Sequence, residues 1–340
     1  MQHELSAVKQ RSGFTGRARW LVALAFTAAG IGAVPLEALA QTFPNKQIRV
    51  IVPYRQGGMS DVGPRMYAER IGTILGAQPI VEFKPGGNGI VGINDFLSQP
   101  ADGHTWFMAD TSHWAILPAI QPVPYDFMRD FAPVTALYTN ALIFCTQAGA
   151  PFNDVREFVA LAKAKPGAYN YISPGIGTVH HLMIEVLAAA TGIKINHIPY
   201  NGGAETVAAL LRGDGVFSVI SGANVLPQVA AGKFKMLGIT RAKRTDILPG
   251  QVPVANQLGI DYDFGGVQAM FVRAGTPRAI VDRLSQLAIQ VGTQPDFIAK
   301  FREIGASDSA PSTPEAITEV LRNEIRVYGA AVKAANVKPQ

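Results

Sequence analysis

The sequence predicts an α/β protein of two domains, each built on a mixed, mostly parallel β-sheet flanked by helices. Short apolar, β-branched runs alternate with helical patterns along residues 41–340, which is typical of βαβ units. The chain has 340 residues, enough for two domains of ordinary size. Only 16% of the residues are charged and 48% are hydrophobic, so the composition excludes a disordered chain.

Residues 1–40 have the pattern of an export signal. Four basic residues precede an apolar run from Trp20 to Val34, and Ala38-Leu39-Ala40 supplies small residues for cleavage. The apolar run has about 15 residues, whereas a membrane-spanning helix needs about 20. We therefore expect cleavage near Ala40 and a mature chain in the periplasm. An uncleaved membrane anchor is the alternative.

The remaining elements are predicted from apolar periodicity and from glycine and proline positions. Strands are expected at 48–52, 80–83, 105–109, 142–146, 169–173, 195–199, 216–220 and 269–272. Helices are expected from Ser60 to Gly76, up to Leu97, and at 155–165, 179–191, 204–212, 221–232, 277–292 and 314–335.

One arrangement occurs several times: a strand ends in a turn that contains glycine or serine, and a helix begins directly after it. These turns are 57–61, 173–178, 200–203 and 221–224. They present unpaired backbone N–H groups and the positive end of a helix dipole, which together bind anions. Ligands of parallel α/β sheets gather at the carboxyl ends of the strands. A cleft between two such domains would hold a small anion, for which a carboxylate is the natural choice.

Other features argue against metal and nucleic-acid binding. His180 and His181 are adjacent on a helix, so their rings point to different faces and cannot share a metal ion. Cys145 lies in an apolar strand and is expected to be a small buried side chain. The net charge of +5 is spread along the chain, whereas nucleic acid requires a concentrated basic face.

A serine hydrolase is the enzymatic alternative, although common hydrolase and nucleotide-binding motifs do not occur in the sequence. It would use Ser112, Ser173 or Ser221 with a histidine such as His113 or His180. The serine and histidine would have to lie about 2.6–3.2 Å apart.

An ordered series of motifs resembles the Bordetella uptake gene (Bug) family, the periplasmic solute-binding proteins of tripartite tricarboxylate transporters. The series begins with the run from Phe43 to Tyr54, followed by Gly57-Gly58 and Asp61. It continues through Lys84-Pro85-Gly86-Gly87, Asp102-Gly103-His104-Thr105, Asp130-Phe131-Ala132-Pro133-Val134, Ala162-Lys163-Ala164-Lys165-Pro166-Gly167, His197-Ile198-Pro199-Tyr200, Gly275-Thr276-Pro277 and Ser312-Thr313-Pro314-Glu315. The resemblance therefore covers essentially all of the chain after the signal.

The resemblance implies a two-lobed, type II-like periplasmic binding protein fold with the ligand in a cleft between the lobes. The first lobe would comprise 41–146, the second 147–262, and residues 263–340 would return to the first. A ligand carboxylate would be held by turns of both lobes. The implied ligand-binding residues are Tyr54, Gly57, Gly58, Met59, Ser60, Asp61, Thr111, Ser112, His113, Ser173, Gly175, Gly177, Thr178, Tyr200 and Ser221.

The sequence departs from the family pattern at four places, the first of which is a pair of residues. Arg55-Gln56 replaces a proline-rich pair and adds a charge near the mouth of the cleft, and Met59 replaces a common glycine. Ile220 stands near a common acidic residue, and Val267 near a common aromatic one. These departures favour a carboxylate with an apolar or aromatic body over an amino acid.

The expected function is capture of a di-, tri- or aromatic carboxylate for delivery to the membrane permease subunits of a tripartite tricarboxylate transporter. The same binding event could instead serve a sensor kinase. The resemblance implies a monomeric receptor without enzymatic activity, cofactor or metal.

Overall fold

The computed structural model describes residues 43–140, 142–243, 248, 250–305 and 307–337. The predicted export signal at 1–40 lies outside the described residues. Within the described ranges, no helix combines the length and the apolar character needed to cross a bilayer.

The described chain alternates strands and helices. The strands are β1 (Arg49–Val52), β2 (Ile80–Phe83), β3 (Thr105–Asp110), β4 (Phe131–Asn140), β5 (Leu142–Gln147), β6 (Asn170–Ser173), β7 (Asn196–Pro199), β8 (Phe217–Ser221), β9 (Phe234–Ile239), β10 (Gly266–Arg273) and β11 (Ser307–Ser309). The helices are α1 (Met59–Leu75), α2 (Ile90–Leu97), α3 (Leu117–Ile120), α4 (Phe127–Asp130), α5 (Val155–Ala164), α6 (Val179–Thr191), α7 (Gly203–Arg212), α8 (Gly222–Ala230), α9 (Val254–Leu258), α10 (Arg278–Gly292), α11 (Pro295–Gly305) and α12 (Pro314–Ala334). A 3-10 turn at Gly87–Gly89 and a π-helical turn at Ser112–Ile116 precede α2 and α3.

Two mixed sheets, each flanked by helices, form the two lobes. The first sheet has the strand order β11-β4-β10-β3-β1-β2, and the second has the order β7-β6-β8-β5-β9. Among the described strands, two of the five pairings in the first sheet and two of the four in the second are parallel. The predicted mixed α/β class is confirmed. The antiparallel share is larger than expected because the strands that connect the lobes run against their neighbours.

An aromatic core fills each lobe. In the first lobe Phe131 stacks on Phe127 with ring centres 4.0 Å apart and on Phe96 at 5.2 Å. In the second lobe Phe158 and Phe217 lie 4.2 Å apart, and both are buried. Burying such a side chain stabilises the fold by about 1.5–3 kcal/mol. These cores fix the sheet edges from which the cleft turns emerge.

The chain crosses between the lobes near residue 141 and returns before β10. Asn140 of β4 is paired with Gly266 of β10, whereas β5 pairs with β8 and β9 in the second sheet. The backbone N–H of Thr240 donates to the carbonyl of Leu142 at 3.0 Å, which ties the two crossing segments together. The expected first lobe of 41–146 thus includes a strand, Leu142–Gln147, that pairs in the second sheet. Its apolar pattern could not show which sheet it joins.

Three strands and one long helix fall outside the predicted elements. Strand β4 contains Pro133, which removes a backbone donor and weakens the strand pattern. Its neighbour β11 pairs only with residues 138–140, so Pro133 lies at a locally unpaired edge where proline is tolerated. Strands β9 and β11 and helix α11 were also not predicted.

Candidate functional site

Two adjoining cavities lie between the lobes, and residues of both lobes line each of them. The outer cavity has a volume of about 280 Å³ and the inner cavity about 50 Å³. They share Tyr54 and Arg55 from the first lobe and Pro174, Thr178 and Gly202 from the second. The cleft between the lobes therefore consists of a larger and a smaller compartment.

The predicted site residues divide into those that line these cavities and those that do not. Tyr54, Ser112, Gly177, Thr178 and Tyr200 line the outer cavity, and Tyr54, Gly57, Gly58, Met59, Ser60, Thr178 and Ser221 line the inner cavity. Asp61, Thr111, His113, Ser173 and Gly175 line neither of the two.

The turn after β1 brings the N-terminus of α1 to the inner cavity. Gly57 and Gly58 have φ values of 102° and 79°, which side chains other than glycine rarely adopt. Gly58 begins the helix without a side-chain cap. The carboxylate of Asp61 accepts a hydrogen bond from the N–H of Gly57 at 3.0 Å and pairs with Arg65 at 2.6 Å. Asp61 thus fixes the turn from behind.

Two further helices begin at the inner cavity without a side-chain cap. These are α7, which starts after Gly202, and α8, which starts after Ser221. The hydroxyl of Ser221 donates instead to the side-chain oxygen of Asn224 at 2.9 Å. The first N–H groups of an α-helix have no partner within the helix and carry its positive dipole end. The inner cavity therefore receives three positive helix ends, from α1, α7 and α8.

Helix α6 reaches the cavities with its N-terminus already satisfied. Thr178 caps it by accepting a hydrogen bond from the N–H of His181 at 3.3 Å. Ser112 of the first lobe accepts the N–H of Val179 at 3.0 Å. Because this bond joins the two lobes, Ser112 contributes to closure of the cleft as well as to its lining.

Close approaches across the cleft depend on glycine. A Cβ atom on Gly58 would lie 2.8 Å from the side-chain oxygen of Asn224 in the second lobe, closer than real Cβ contacts. Arg55 lies 3.8 Å from Glu205, also in the second lobe, and both side chains are largely exposed. The lobes therefore meet through glycine contacts inside the cleft and an ion pair at its mouth.

A buried carboxylate stands behind the first-lobe wall. Asp110 accepts hydrogen bonds from the hydroxyl of Tyr54 at 2.7 Å and from the N–H of Ser112 at 2.9 Å, and His113 lies 3.2 Å away. Burial alone would raise the pKa of Asp110, but its hydrogen bonds to His113, Tyr54 and Ser112 outweigh burial and hold this pKa below its usual range. Asp110 is therefore ionised, and it also lines the inner cavity.

Thr111 and His113 hold the wall in place from behind. The hydroxyl of Thr111 donates to Glu324 at 2.9 Å and accepts the N–H of Val267 at 3.0 Å. The ring of His113 packs edge-on against Tyr54, with centres 5.2 Å apart. Both side chains are buried. Their contacts connect the lining to α12 and β10.

The structure contains a serine–histidine pair at hydrogen-bond distance, but it lies outside both cavities. The hydroxyl of Ser173 is 2.7 Å from Nε2 of His197, and Ser173 is fully buried. The other ring nitrogen of His197, Nδ1, has no partner among the described residues, so no third group orients the ring. A buried serine without an orienting acid offers no accessible nucleophile. The hydroxyl groups of Ser112 and Ser221 are bonded to Val179 and Asn224.

Several lining residues were not among the predicted ones. The loop Pro85–Gly89 lines the outer cavity, and Asp110 and His180 line the inner cavity. Asn201, Gly202 and Asn224 also line these cavities, and they belong to the turns expected at 200–203 and 221–224. The glycine-rich turn before α2 repeats the strand–turn–helix arrangement and could have been found by that signal. His180 was named only as a histidine of the hydrolase alternative, because no local pattern distinguishes its surroundings from those of His181. The ring of His181 stacks on His197, with ring centres 4.2 Å apart.

The four departures from the family pattern lie at different depths. Arg55 lines both cavities, and Met59 and Ile220 line the inner one. Val267 lines neither cavity, and its N–H binds Thr111. The charge and two apolar side chains thus face the ligand space.

A two-lobed α/β chain with crossing strands and a polar cleft has the architecture of the periplasmic solute-binding proteins. A sequence profile described as "Tripartite tricarboxylate transporter family receptor" matches residues 64–337, and the chain belongs to this family. It is 33% identical over 295 residues to the Cupriavidus necator "UPF0065 protein in gbd 5'region", covering 86% of this chain and 89% of that protein. It is 26% identical to "Protein BugT" of Bordetella pertussis, covering 94% and 97%. The resemblance to the Bug family is confirmed.

Solved structures show the same fold. A chain described as "Structure of a periplasmic transporter" is 30% identical, with a TM-score of 0.82 and coverage of 87% of this chain and 99% of that one. The structure of "R. palustris Rpa4515 with adipate" is 24% identical, with a TM-score of 0.84 and coverage of 88% and 100%. The expected two-lobed fold is therefore confirmed.

Proposed function

We propose that this chain is a periplasmic receptor that captures a small organic carboxylate in the cleft and delivers it to the permease of a tripartite tricarboxylate transporter. The observation that carries the proposal is the composition of the outer cavity. Arg55 is its one charged lining residue among those described, and hydroxyl groups and glycine turns supply further hydrogen-bond donors. A receptor role also agrees with the family to which the chain belongs.

A carboxylate fits the outer cavity for electrostatic reasons. Arg55 supplies a positive charge, and the hydroxyl of Ser112, which accepts the N–H of Val179, can still donate its own proton to an anion. Gly202, which precedes α7, lines the outer cavity as well as the inner one, so the positive end of that helix contributes about 0.3–1 kcal/mol toward binding an anion there. The ionised Asp110 lines only the inner cavity, and Glu205, which pairs with Arg55 at the mouth of the cleft, is not among the described residues that line the outer one.

The size and lining of the outer cavity support a small acid with an apolar body. Its volume of about 280 Å³ lies near the lower end of ordinary ligand pockets, about 300–1,000 Å³. Proline, leucine and isoleucine side chains make up part of its wall. The structurally similar Rpa4515 is described with adipate, a ligand of matching chemistry.

Matched acids and amides test the carboxylate assignment. The mature chain, residues 41–340, is mixed with di-, tri- and aromatic carboxylates and with the corresponding neutral amides, and its melting temperature is measured. A ligand at 100 times its Kd stabilises the folded state by about 2.7 kcal/mol. We expect at least one acid to raise the melting temperature while its amide does not. Equal shifts for acid and amide, or no shift across the panel, would contradict the proposal.

Delivery and location need separate measurements. N-terminal sequencing of protein recovered from the periplasmic fraction tests cleavage near Ala40. Uptake of the identified acid by vesicles that contain the permease subunits should depend on added receptor. Uptake that is unaffected by the receptor would contradict the transport role and leave signalling to a sensor kinase as the explanation for binding.

A further inference from the structure

The inner cavity is lined by a carboxylate and an imidazole that come from opposite lobes. Asp110 comes from the first lobe and His180 from the second, and both line this space of about 50 Å³. Ser112 brings them together: its N–H binds Asp110 at 2.9 Å, and its hydroxyl accepts the N–H of Val179, the residue before His180. The pair is therefore completed only when the lobes meet.

The two members of the pair offer complementary hydrogen-bonding groups. Asp110 is an ionised carboxylate. Its Oδ1 already contacts the N–H of Ser112 and Nδ1 of His113, whereas its Oδ2 accepts the hydroxyl of Tyr54 and can accept a further hydrogen bond. The Nδ1 atom of His180 is buried and has no hydrogen-bond partner within the described ranges. Burial lowers the pKa of His180 to about 4, against a partial attraction to Asp110, so the ring is neutral at periplasmic pH. A buried polar atom without a partner is unfavourable unless a ligand or water completes it.

The surroundings restrict the chemical group that can enter. A carboxylate beside ionised Asp110 would place two like charges together. An apolar group would leave His180 without a partner. An ammonium group would face Arg55 and the positive ends of α1, α7 and α8. A hydroxyl is neutral, small enough for the space, and can both donate and accept a hydrogen bond.

We infer that Asp110 and His180 bind a hydroxyl group of the ligand, and hence that the receptor selects hydroxy acids over the corresponding unsubstituted acids. This inference rests on the proposed capture of a carboxylate, whose acid group would occupy the outer cavity. The hydroxyl donates its proton to Asp110 and accepts a hydrogen bond from the Nδ1–H of the neutral His180 ring. An acid without the hydroxyl leaves Asp110 and His180 without this hydrogen-bond partner in a closed cleft. Buried polar groups left unpaired in this way discriminate strongly against the ligand that lacks the hydroxyl.

Nine acids on three carbon skeletons test the inference by calorimetry. They are propionate, lactate and alanine; succinate, malate and aspartate; and 3-phenylpropionate, 3-phenyllactate and phenylalanine. On whichever skeleton binds, we expect the hydroxy acid to bind about 10- to 100-fold more tightly than the unsubstituted acid, as for a hydrogen bond to a charged group.

Variants assign the preference to the pair. His180→Phe keeps the ring but removes both nitrogens and should reduce the preference to less than about threefold. His180→Asn keeps an amide near the position of Nδ1 and should retain most of it. Asp110→Asn should reduce it as well, whereas Asp296→Asn, at an exposed ion pair with Arg70, should not change it. Melting curves check that each variant folds. If Asp110→Asn does not fold, the comparison of His180→Phe with His180→Asn still tests the assignment.

The outcomes separate this inference from the proposed function. Equal affinity for unsubstituted and hydroxy acids would overturn the hydroxyl assignment while carboxylate capture stands. Tightest binding of an amino acid would also overturn it and would assign the pair to an ammonium group. If His180→Phe still prefers hydroxy acids over unsubstituted acids, other residues bind the hydroxyl, and the assignment to this pair is wrong. If none of the acids binds, the proposed function fails as well.

Discussion

Glu324 of α12 is a buried carboxylate whose charge state should control the pH dependence of stability. It accepts hydrogen bonds from Trp114 at 2.8 Å and from Thr111 at 2.9 Å. Burial raises the pKa of Glu324 from 4.5 to about 7, although these two hydrogen bonds act in the opposite direction. The helix that carries it also holds the crossing segment, because the hydroxyl of Tyr328 accepts the N–H of Gly265 at 3.1 Å.

The sign and size of the effect follow from linkage. Because the folded state holds the Glu324 proton more tightly than the unfolded chain, the stability contributed by this group is fully present below pH 4.5. It is lost as the pH rises to about 7. The difference between 4.5 and about 7 corresponds to about 3 kcal/mol. Glu324→Gln resembles the protonated acid, so it should gain about 3 kcal/mol relative to the wild type between pH 4.5 and pH 8.

Urea unfolding at several pH values, followed by tryptophan fluorescence, measures this difference. Both proteins share all other titrating groups, so their difference in unfolding free energy isolates Glu324. The matched control is Glu319→Gln, the same substitution at an exposed position on the same helix, which separates the effect of burial from that of the substitution itself. A difference between the wild type and Glu324→Gln that does not change between pH 4.5 and 8 would show that the folded state does not raise the pKa of Glu324.

Four further predictions concern the cleft and its support. Burial and repulsion by His181 lower the pKa of His197 to about 3, so unfolding free energy should fall as pH falls from 6.5, and His197→Gln should flatten this slope in urea titrations. Gly58→Ala introduces both positive-φ strain and contact with Asn224, so calorimetry should show at least tenfold weaker ligand binding, whereas Gly192→Ala, which has open space, should lower stability alone. Thr178→Val removes the cap of α6 and should cost about 1 kcal/mol in urea unfolding. Arg55→Gln should weaken acid binding about 3- to 10-fold in calorimetry, and the exposed Arg156→Gln should not.

Local sequence signals predicted the elements that begin or end the cleft turns. Helix α6 was predicted at 179–191 and is observed at Val179–Thr191, because a threonine cap and a following glycine mark its ends. Strand β2 was likewise predicted at its observed bounds. Strand β4 was missed because Pro133 hides a strand whose position is set by pairing with distant β10.

The sequence predicts the lining residues that belong to a single local turn. It does not predict those whose position depends on how the two lobes meet. Gly57, Gly58 and Ser221 belong to local turns, and each lines the inner cavity. The position of His180 beside Asp110 depends on how α6 meets β3 across the cleft, which no local pattern contains. Asp61 was expected as a ligand contact only because of the family resemblance, whereas its position in the first helical turn favours stabilisation of the helix dipole. Its carboxylate binds Gly57 and Arg65.

The distribution of helix caps explains why ligand binding and contact between the lobes should be coupled. Side chains cap α4, α5, α6 and α12 through Asp126, Asp154, Thr178 and Thr313, whereas α2, α3, α9 and α10 begin without a side-chain cap at positions that do not line the inner cavity. By contrast, α1, α7 and α8 begin without side-chain caps around one small cavity to which both lobes contribute. When the lobes meet, water is displaced from these helix ends. Closure is therefore favourable only if the ligand, or water bound with it, supplies hydrogen-bond acceptors to the helix N–H groups that the displaced water had occupied. A ligand that lacks them would bind one lobe without bringing the other to it.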